Sequence, residues 1–300
     1  MKFLKIVANV ARLYPAGVIK ARYFRKYKKW PKIKRPLSEQ ESLWFYIVNR
    51  ELENRNNQRW AIMSDKYGAR EEVDKILGPG HLIPLLGHWD NPEDIDFDSL
   101  PKSFILKTNN GCGTNIFVHD KDKADRSAII RQLRKSLDFP YAELTGQLHY
   151  ANIKPCVVAE DILIQDGGRK SLTDYKIHCV NGEPVTLYVF KDRDEDNHFD
   201  FNMQGYTTNW RAIKPNVSPS EVINGPEAPG RPDFLEDLLD AARKLAAGEE
   251  YVRVDLYYTH GNVYFGEMTY TPDTKFHRAY ADYQPAMEYV LDRIKADASR

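Results

Sequence analysis

The segment from residue 251 to residue 269 most constrains the fold, because it contains two alternating runs of apolar and polar residues that meet at His260-Gly261-Asn262. Alternation with a period of two residues is typical of a β-strand, and a short connection that contains glycine is typical of a β-hairpin. If all three connecting residues form the loop, Thr259 pairs with Val263. The sequence therefore predicts an antiparallel hairpin in this segment.

Polar side chains recur at every second position of this hairpin. The same register puts Asp255 opposite Glu267 and Arg253 opposite Thr269, with all of them on one face. Two facing carboxylates and a cation suit a hard metal that prefers oxygen ligands, such as Mg²⁺ bridging phosphates. An exposed polar face with an ion pair between the strands would give the same pattern, and a slip by one residue would distribute the set over both faces. The hairpin alone favours the ion pair, so the choice between an ion pair and a metal site depends on the other motifs.

The composition indicates a globular chain with an uneven distribution of charge. Apolar residues make up 42% of the sequence and aromatic residues 12%, which is enough for a substantial core. The formal net charge is +0, yet residues 1–38 contain 12 Lys or Arg and no acid, so the remainder carries a net charge of −12. This asymmetry predicts a basic arm attached to an acidic catalytic body.

The cysteines and the apolar runs indicate the compartment. Cys112, Cys156 and Cys179 are odd in number and far apart, which argues against a disulfide framework or a zinc site and favours a reducing environment. No apolar run approaches the ~20 residues of a transmembrane helix, and Lys5 and Arg12 interrupt the apolar core that a signal peptide would need. We therefore expect a cytoplasmic protein, and we expect no nucleic-acid partner.

The basic arm, residues 1–36, has apolar residues at helical spacing before its densest basic run. Such a segment can form an interfacial helix that contacts anionic lipid at the inner face of the cytoplasmic membrane. The arm could instead bind an anionic polymer or be a solvated extension, and the sequence leaves these alternatives open.

Helical patterns alternate with strand patterns along the rest of the chain. Ser38 and Glu41 form a capping box before one helix, and Ser64-Asp65 is expected to cap a second helix that ends at Gly78-Pro79-Gly80. Further helices are predicted at residues 125–137, 232–247 and 283–294.

Strands are predicted at residues 104–108, 116–118 and 156–163, and as a hairpin over residues 175–190 that turns at Asn181-Gly182. Residues 82–101 are expected to be a linker, and residues 191–230 are expected to be rich in loops. Antiparallel hairpins mixed with helices favour an α+β fold.

A glycine-containing loop follows the first predicted strand. In Lys107-Thr-Asn-Asn-Gly111-Cys-Gly113, backbone N–H groups can bind phosphate oxygens while Lys107 supplies positive charge. An ordinary Asn-Gly turn would look the same, and neither a Walker nor a Rossmann pattern is present.

Two further strands carry charged residues. Glu160 and Asp161 end an apolar strand, so they could form a hinge whose backbone contacts adenine, with Glu160 on the ribose; a polar turn is the alternative. Lys176 shares a strand face with Asp174 and His178, and an ammonium on a strand suits nucleotide phosphates. An exposed strand edge decorated with charges is the alternative for that strand.

Taken in chain order, these motifs resemble those of the ATP-grasp superfamily, and most closely its TupA-like branch found in bacterial surface-polysaccharide clusters. The resemblance runs from about Ser64 to Tyr283. It rests on Ser64-Asp-Lys-Tyr-Gly-Ala-Arg70, on Leu100-Pro-Lys-Ser-Phe-Ile-Leu-Lys107 with its Asn-Asn-Gly loop, on Asp174-Tyr-Lys-Ile-His-Cys-Val-Asn-Gly-Glu183-Pro, and on Arg253-Val-Asp255 followed by Gly266-Glu267.

The tail of the motif departs from the family pattern. The family's metal-binding tail usually has the pattern Glu-x-Asn-x-x-Pro-Gly, and here Glu267 and Pro272 keep their spacing. Thr269 stands where the family has Asn, and Asp273 stands where it has Gly.

The resemblance implies an ATP-grasp fold in which two α+β lobes hold the nucleotide, preceded by a short helical N-terminal region. The implied domains are the basic arm at residues 1–36, a helical region at 37–100, a small lobe at 101–165, and a large lobe with the metal site at 166–300.

The resemblance also implies roles for the nucleotide-binding residues. Lys107 and Lys176 would contact phosphates, the loop Gly111–Gly113 would cover them, and Glu160 with Asp161 would mark the hinge.

For the metal and the reaction, the implied residues come from the hairpin. Asp255 and Glu267 would hold Mg²⁺, with Thr269 as a further candidate ligand. Arg253, together with Lys176, would act on the transferred γ-phosphate.

Enzymes of this superfamily phosphorylate a carboxylate to an acyl phosphate, which an amine then attacks to give an amide. We therefore expect an ATP- and Mg²⁺-dependent carboxylate–amine ligase. Its expected substrates are an amino acid or amine and a uronic acid of a bacterial surface polysaccharide or its lipid-linked precursor. A glycosyltransferase with Asp192-Arg193-Asp194 as its metal motif, and a sugar kinase with the same ATP site, are the alternatives.

Overall fold

The computed structural model describes residues 8–10, 12–27, 43–166, 171–193, 201–213, 228–272 and 292–293. The chain forms two compact units. The first takes its described residues from Met1–Leu37, Val48–Arg70 and Ile83–Ile162, and the second takes them from Ser38–Ile47, Glu71–Leu82 and Leu163–Arg300. The four domain ranges expected from the sequence stay a prediction.

Helices and strands alternate irregularly in both units. The α-helices among the described residues are α1 (Pro15–Tyr27), α2 (Leu43–Asn54), α3 (Gln58–Ser64), α4 (Ala69–Leu77), α5 (Arg126–Leu137), α6 (Tyr141–Thr145) and α7 (Leu235–Leu245). Short 3₁₀ helices span Pro92–Asp94, Lys121–Lys123 and Leu148–Asn152. The strands are β1 (Leu85–Trp89), β2 (Phe104–Thr108), β3 (Ile116–Val118), β4 (Val157–Glu160), β5 (Asp174–Val180), β6 (Glu183–Lys191), β7 (Asn202–Thr207), β8 (Ala212–Ile213), β9 (Tyr251–Thr259) and β10 (Asn262–Thr269).

The first unit contains an antiparallel sheet with the strand order β1-β4-β2-β3. Helix α5 packs on this sheet because Ile129, Leu133 and Leu137 recur at helical spacing and are buried in its core. Asp125 starts the helix by accepting a hydrogen bond from the N–H of Ala128 at 2.9 Å. The strands and the helix predicted here are confirmed.

The second unit contains an antiparallel sheet with the order β10-β9-β5-β6-β7-β8. The predicted hairpin of β5 and β6 is confirmed, and its turn has positive φ at Asn181 (48°) and Gly182 (80°), as a type I′ turn requires. Helix α7 packs against the strands β5, β6, β9 and β10 through an apolar stripe that includes Leu238 and Leu245. The chain is therefore α+β, as its sequence predicts.

The loop of the β9–β10 hairpin is shorter than the three residues expected. Thr259 pairs with Asn262, so only His260 and Gly261 connect the strands, with φ values of 51° and 73°. Two consecutive residues with positive φ are typical of a type I′ turn, whose twist matches that of the strands it joins.

A β-bulge in β10 restores the predicted pairing. The register shifts between Phe265 and Glu267, so that Gly266 is the extra residue on its strand. Beyond the bulge, Glu267 lies opposite Asp255, as expected from the sequence, and the pair of Thr269 with Arg253 is also as expected. The loop length was wrong by one residue, and the bulge compensates for it.

The segment expected to be a linker, residues 82–101, contains β1 and a 3₁₀ helix. Gly87 suggested a loop, but it makes room for the ring of Trp89: a Cβ atom at Gly87 would lie 2.5 Å from that ring. The glycine therefore permits a bulged strand that pairs with β4, and the linker prediction was wrong.

Two other local predictions were wrong. Ser64 is the last residue of α3 and does not cap the following helix, which begins only at Ala69. The burial of Trp60 and Met63 favours a short helix that continues to Ser64. The loop expected at residues 191–230 contains β7 and β8, whose polar sequences obscured their pairing with β6 and with each other. The capping box of Ser38 and Glu41 lies outside the described residues, and so does the helix expected at 283–294 except for residues 292 and 293.

We predict that Gly266→Ala destabilises the protein. The added Cβ atom would lie 2.9 Å from the carbonyl oxygen of Asp255 and 3.0 Å from the ring of Tyr257, so the bulge would have to shift at a cost of roughly 1–3 kcal/mol. Urea denaturation measures the change in the free energy of unfolding.

Gly261→Asn is the matched control in the same hairpin. Nothing lies within 4 Å of a Cβ atom at Gly261, and asparagine tolerates its positive φ. An equal loss of stability in both variants would contradict the role assigned to the bulge.

Candidate active site

One face of the second sheet collects the charged residues predicted from the hairpin. In the register of β5, β9 and β10, Lys176 lies opposite Asp255, which in turn lies opposite Glu267. His178 lies opposite Arg253, which lies opposite Thr269. Because side chains alternate along a strand, these residues share one face.

Arg253 is the central residue of this cluster. Its guanidinium donates to both carboxylate oxygens of Asp255, at 2.6 Å from Nε to Oδ1 and 2.7 Å from Nη2 to Oδ2. The same Nη2 lies 2.9 Å from Oε1 of Glu267 and 3.0 Å from Oγ1 of Thr269. The side chain of Arg253 is only 9% exposed, so these are charge-assisted contacts in a largely dry environment.

Lys176 forms the second cationic part of the cluster. Its Nζ contacts Asp255 and lies 2.8 Å from Oδ2 of Asp174. Burial by itself would lower the pKa of Lys176, but Asp174 and Asp255 outweigh it and raise the pKa above the usual value. The ammonium therefore stays charged. The interpretation of this strand as an exposed edge was wrong, because β5 lies inside the sheet between β9 and β6.

Asp174 contributes an acid that the site prediction left out. Its Oδ2 also lies 3.5 Å from a guanidinium nitrogen of Arg193, whereas its Oδ1 is buried and has no hydrogen-bond partner among the described residues. The sequence placed Asp174 on the same face as Lys176, and that was the signal that could have identified it.

Nearby, burial raises the pKa of Tyr257 well above its usual value, and Asp174, Asp255 and Glu267 add to the shift.

The charges of the cluster cancel. Its acids are Asp174, Asp255 and Glu267, and the cations in contact with them are Lys176, Arg193 and Arg253. The three negative and three positive formal charges sum to zero. Among the described residues, the formal charges of this cluster are therefore balanced without a ligand.

The donor set suits magnesium better than a softer metal. Asp255 and Glu267 face each other, and Thr269 donates a hydrogen bond to Glu267 at 3.0 Å, so every candidate ligand is an oxygen. Among the described residues, no group of three or more His, Cys, Asp or Glu side chains could hold a metal by itself. Mg²⁺ fits two carboxylates because it keeps several waters and completes its shell with phosphate oxygens.

The first unit contains a smaller cluster of the same type. Glu160 on β4 accepts from Lys107 Nζ at 2.6 Å and from Arg70 Nη1 at 3.0 Å, and its side chain is 8% exposed. Arg70 also donates to the carbonyl of Ile83 at 2.7 Å. Asp161 follows, with its N–H bonded to the carbonyl of Pro84. The sequence motif contains Arg70, but its position in the first turn of α4 gave no indication of this contact.

The glycine loop after β2 is held by contacts on several sides. Lys66 donates to the carbonyl oxygen of Gly111 at 2.6 Å, and a Cβ atom at Gly111 would lie 2.9 Å from the ring of Tyr141. Gly113 has a φ of 72°, which favours glycine. The loop therefore needs glycine at both positions for steric and backbone reasons.

The two asparagines of the loop anchor it. Asn109 donates to Asp65 at 2.9 Å and accepts from the N–H of Cys156 at 2.7 Å. Asn110 donates to the carbonyl of Leu137 at 3.1 Å. These side chains hold the backbone of the loop in place.

Asp192-Arg193-Asp194, the motif of the glycosyltransferase alternative, is only partly described. Asp192 accepts from Asn202 at 3.0 Å and has a positive φ of 55°, whereas Asp194 lies outside the described residues.

The fold is that of an ATP-grasp protein. A sequence model of the family described as TupA-like ATPgrasp matches residues 46–284. The chain belongs to this family. Both the resemblance and the ATP-grasp fold predicted from the sequence are confirmed.

Several solved structures of ATP-grasp ligases are similar to this chain. The D-alanine–D-alanine ligase from Bacillus anthracis, in complex with ATP, shares 16% identity, with 78% of this chain and 65% of that chain covered and a TM-score of 0.43. The ligase PsnB, in complex with a minimal precursor, Mg and ADP, shares 12% identity, with coverages of 84% and 66% and a TM-score of 0.42. The D-alanine–D-alanine ligase from Helicobacter pylori shares 15% identity, with coverages of 77% and 58% and a TM-score of 0.39.

The chain thus spans between 58% and 66% of the length of these three ligases. No match is found among curated proteins. In the part of the chain that the structure describes, no helix has both the length and the apolar character needed to cross a membrane.

We predict that His178 makes the stability of the protein sensitive to acid. Burial, together with Arg253 and Lys176, lowers the pKa of His178 to about 3, while in the unfolded chain it is about 6.5. The stabilisation is therefore complete above about pH 6.5 and is lost as the pH falls towards 3. Between pH 7 and pH 5.5 the loss should be roughly 1 kcal/mol.

Urea denaturation of the wild type and of His178→Gln at both pH values isolates this contribution. Glutamine keeps a polar partner for the hydroxyl of Tyr251, which lies 2.9 Å from Nδ1 of His178. The variant should lack the extra loss at pH 5.5, and an equal pH dependence in the two proteins would contradict the prediction.

Proposed function

We propose that this protein is an ATP- and Mg²⁺-dependent ligase that joins a carboxylate to an amine. The observation that carries the proposal is the buried, charge-balanced cluster on β5, β9 and β10, in which Arg253 and Lys176 neutralise Asp255. Phosphoryl transfer depends on positioning and on neutralising charge. A face with cations and paired carboxylates supplies the groups for both tasks.

Asp255 and Glu267 would hold the magnesium ion, with Thr269 as a further oxygen donor. Bound there, the ion would neutralise and bridge phosphate oxygens. Thr269 already donates to Glu267 and accepts from Arg253, so its hydroxyl can orient Glu267 even where it does not bind the metal.

Arg253 and Lys176 would contact the phosphates. Both are buried cations whose partners are acids. When a nucleotide brings phosphate oxygens and a divalent metal together, the cations can turn to the phosphates while the acids turn to the metal. The exchange keeps every charge paired, which avoids the high cost of an uncompensated buried charge.

The groups of the first unit would bind the rest of the nucleotide. We assign the phosphates to Lys107 and to the N–H groups between Gly111 and Gly113. Glu160 and Asp161 would mark the hinge and the ribose contact. Glu160 already contacts both Lys107 and Arg70, so its side chain is held in place between two cations.

In the proposed reaction a carboxylate oxygen of one substrate attacks the γ-phosphorus of ATP, the bond to the β-phosphate oxygen breaks, and ADP leaves. The amine of the second substrate then attacks the acyl carbon, phosphate leaves, and the amine loses a proton. The carboxylate would belong to a uronic acid of a surface polysaccharide or its lipid-linked precursor, and the amine to an amino acid or a small amine. Membership of the TupA-like family supports this substrate class.

We predict that Glu267→Gln reduces ADP formation at least about hundredfold when the protein is mixed with ATP, Mg²⁺, a glucuronate-containing glycan and a panel of amines. Glu267 suits the test because its side chain is 32% exposed, so that its replacement disturbs folding less than that of buried Asp255. A coupled assay measures ADP, and mass spectrometry detects the amide.

Glu183→Gln is the control, because Glu183 is an exposed acid on β6 that pairs with Arg243 on the surface. It should leave turnover unchanged. Absence of ADP with every substrate pair would end the ligase proposal. Phosphorylated sugar formed without an amine would favour a kinase, and thermal stabilisation by UDP-sugars but not by ATP would favour a glycosyltransferase.

We also propose that the basic arm contacts the inner face of an anionic membrane, which would bring the enzyme to lipid-linked substrates. Within the arm, the described residues place Leu13 and Tyr14 at the surface, 75% and 69% exposed, before the basic helix α1. Exposed apolar residues beside cations suit the interface of anionic lipid.

We predict that the full-length protein sediments with vesicles of phosphatidylglycerol but not of phosphatidylcholine, and that the double variant Leu13→Asp, Lys20→Glu loses most of this binding. Raised salt should weaken it as well. Lys123→Glu, which replaces an exposed lysine paired with Asp120, is the control and should bind like the wild type. Equal binding to both lipids would contradict the proposal.

A further inference from the structure

The first unit contains a cavity of about 660 Å³ between the glycine loop and helix α5. Thr114 and Cys112 line it from the loop, Arg131 and Lys135 from the helix, and Phe139 and Tyr141 from the segment that follows. Its volume falls in the range of roughly 300–1,000 Å³ that is typical of ligand pockets.

The basic residues of α5 that line this cavity differ from those that do not in whether an acid lies within salt-bridge distance. Arg126 and Arg134, which do not line it, pair with Asp98 at 2.8 Å and with Glu93. Arg131 and Lys135 line it, and neither has an acid within salt-bridge distance among the described residues. They are four residues apart and therefore share one face of the helix. Among the described residues, the cavity thus presents two positive charges that have no acid in salt-bridge contact.

The remaining walls are aromatic and polar. Phe139 is 40% exposed although it is a large apolar residue, and Tyr141 also lines the cavity. The hydroxyl of Thr114 accepts hydrogen bonds from the N–H and the hydroxyl of Thr108, and its own proton can still be donated to a ligand. A ligand that fills this cavity would need an anionic group, an apolar face for the rings and several hydroxyls.

A sugar acid meets all these requirements. A pyranose ring has a face of C–H groups that can pack on an aromatic ring, and its carboxylate matches the planar guanidinium of arginine. A free phosphate would satisfy the cations but would leave the exposed aromatic ring uncovered.

We propose that this cavity binds an anionic sugar, a uronate residue of a glycan, with Arg131 and Lys135 on its carboxylate and Phe139 against its ring. The identification of this uronate with the acceptor glycan rests on the proposed function. Binding itself requires no turnover, so it is tested separately.

Isothermal titration of the full-length protein with a glucuronate-containing hyaluronan tetrasaccharide tests the proposal. The control ligand is the same tetrasaccharide with its carboxylates reduced to alcohols. We expect binding of the acid form only. Arg131→Gln and Lys135→Gln should each weaken it at least about tenfold, because hydrogen bonds to charged groups are among the stronger ones.

Arg134→Gln is the matched control variant, since it changes a cation on the same helix outside the cavity, and it should bind the acid tetrasaccharide like the wild type. Equal binding of the acid and reduced ligands, equal loss in all three variants, or no binding to the wild type would each overturn the proposal. Loss of ATP binding in the Arg131 and Lys135 variants, measured by thermal shift, would assign the cavity to the nucleotide instead. Failure of the ligase assay with intact, carboxylate-dependent binding would refute the proposed function and leave this site standing.

Cys112 provides an independent readout. It is the only one of the three cysteines that is exposed, and its Sγ lies 3.1 Å from the hydroxyl of Tyr141 in the cavity wall. The acid tetrasaccharide should slow its modification by a maleimide, and the reduced form should not. Protection by both ligands alike would count against recognition of the carboxylate.

Discussion

The contact of Arg253 with the acids of β9 and β10 is the interaction on which the second unit's site depends. A guanidinium that is this deeply buried is costly unless acids surround it. Asp255 and Glu267, for their part, face each other on neighbouring strands, where like charges repel. The cation and the two acids therefore require one another. A slip of one residue would separate them, so the charges themselves help to fix the register.

Gly266 links this electrostatic constraint to the backbone. A type I′ turn of two residues sets one register, and the pairing of Glu267 with Asp255 needs another. The bulge reconciles the two, and it favours glycine, because a Cβ atom there would lie too close to the carbonyl of Asp255 and the ring of Tyr257. The turn, the bulge and the ion cluster therefore set the register of the hairpin together.

Sequence patterns predicted what depends on local alternation and missed what depends on distant contacts. The strands β5, β6, β9 and β10 and the facing of Asp255 and Glu267 follow from alternation, so they were predicted even though the loop length was wrong. The strand β1 was missed because Gly87 resembles a turn residue until the ring of Trp89 is seen against it.

The partners of Lys66 and Arg70 could not be predicted for a related reason. Gly111 and Glu160 lie 45 and 90 residues further along the chain, and no periodicity relates positions so far apart. Lys107 was predicted to bind phosphate from its place beside a glycine loop, but its bond to Glu160 depends on the pairing of β2 with β4. Long-range contacts of this kind follow from topology, and a single sequence carries little information about them.

Exposure explains why the cations of this protein are arranged in two ways. In both buried clusters an acid is held by two cations, Glu160 by Lys107 and Arg70, and Asp255 by Arg253 and Lys176. A buried cation needs such a partner even when no ligand is bound, because an unpaired buried charge would destabilise the fold.

Arg131 and Lys135 face solvent, where water screens their charge, so the lack of an acid partner among the described residues costs little. The two arrangements should differ in their response to salt. Ligand contacts with the exposed pair should weaken steadily as ionic strength rises, because salt screens charges that face solvent, whereas the buried clusters are screened much less. Under the proposed assignments, a nucleotide would have to match the geometry of the ion pairs that it displaces, whereas a uronate on exposed cations would need only charge and a complementary ring. Depth of burial would then distinguish a selective site from a permissive one.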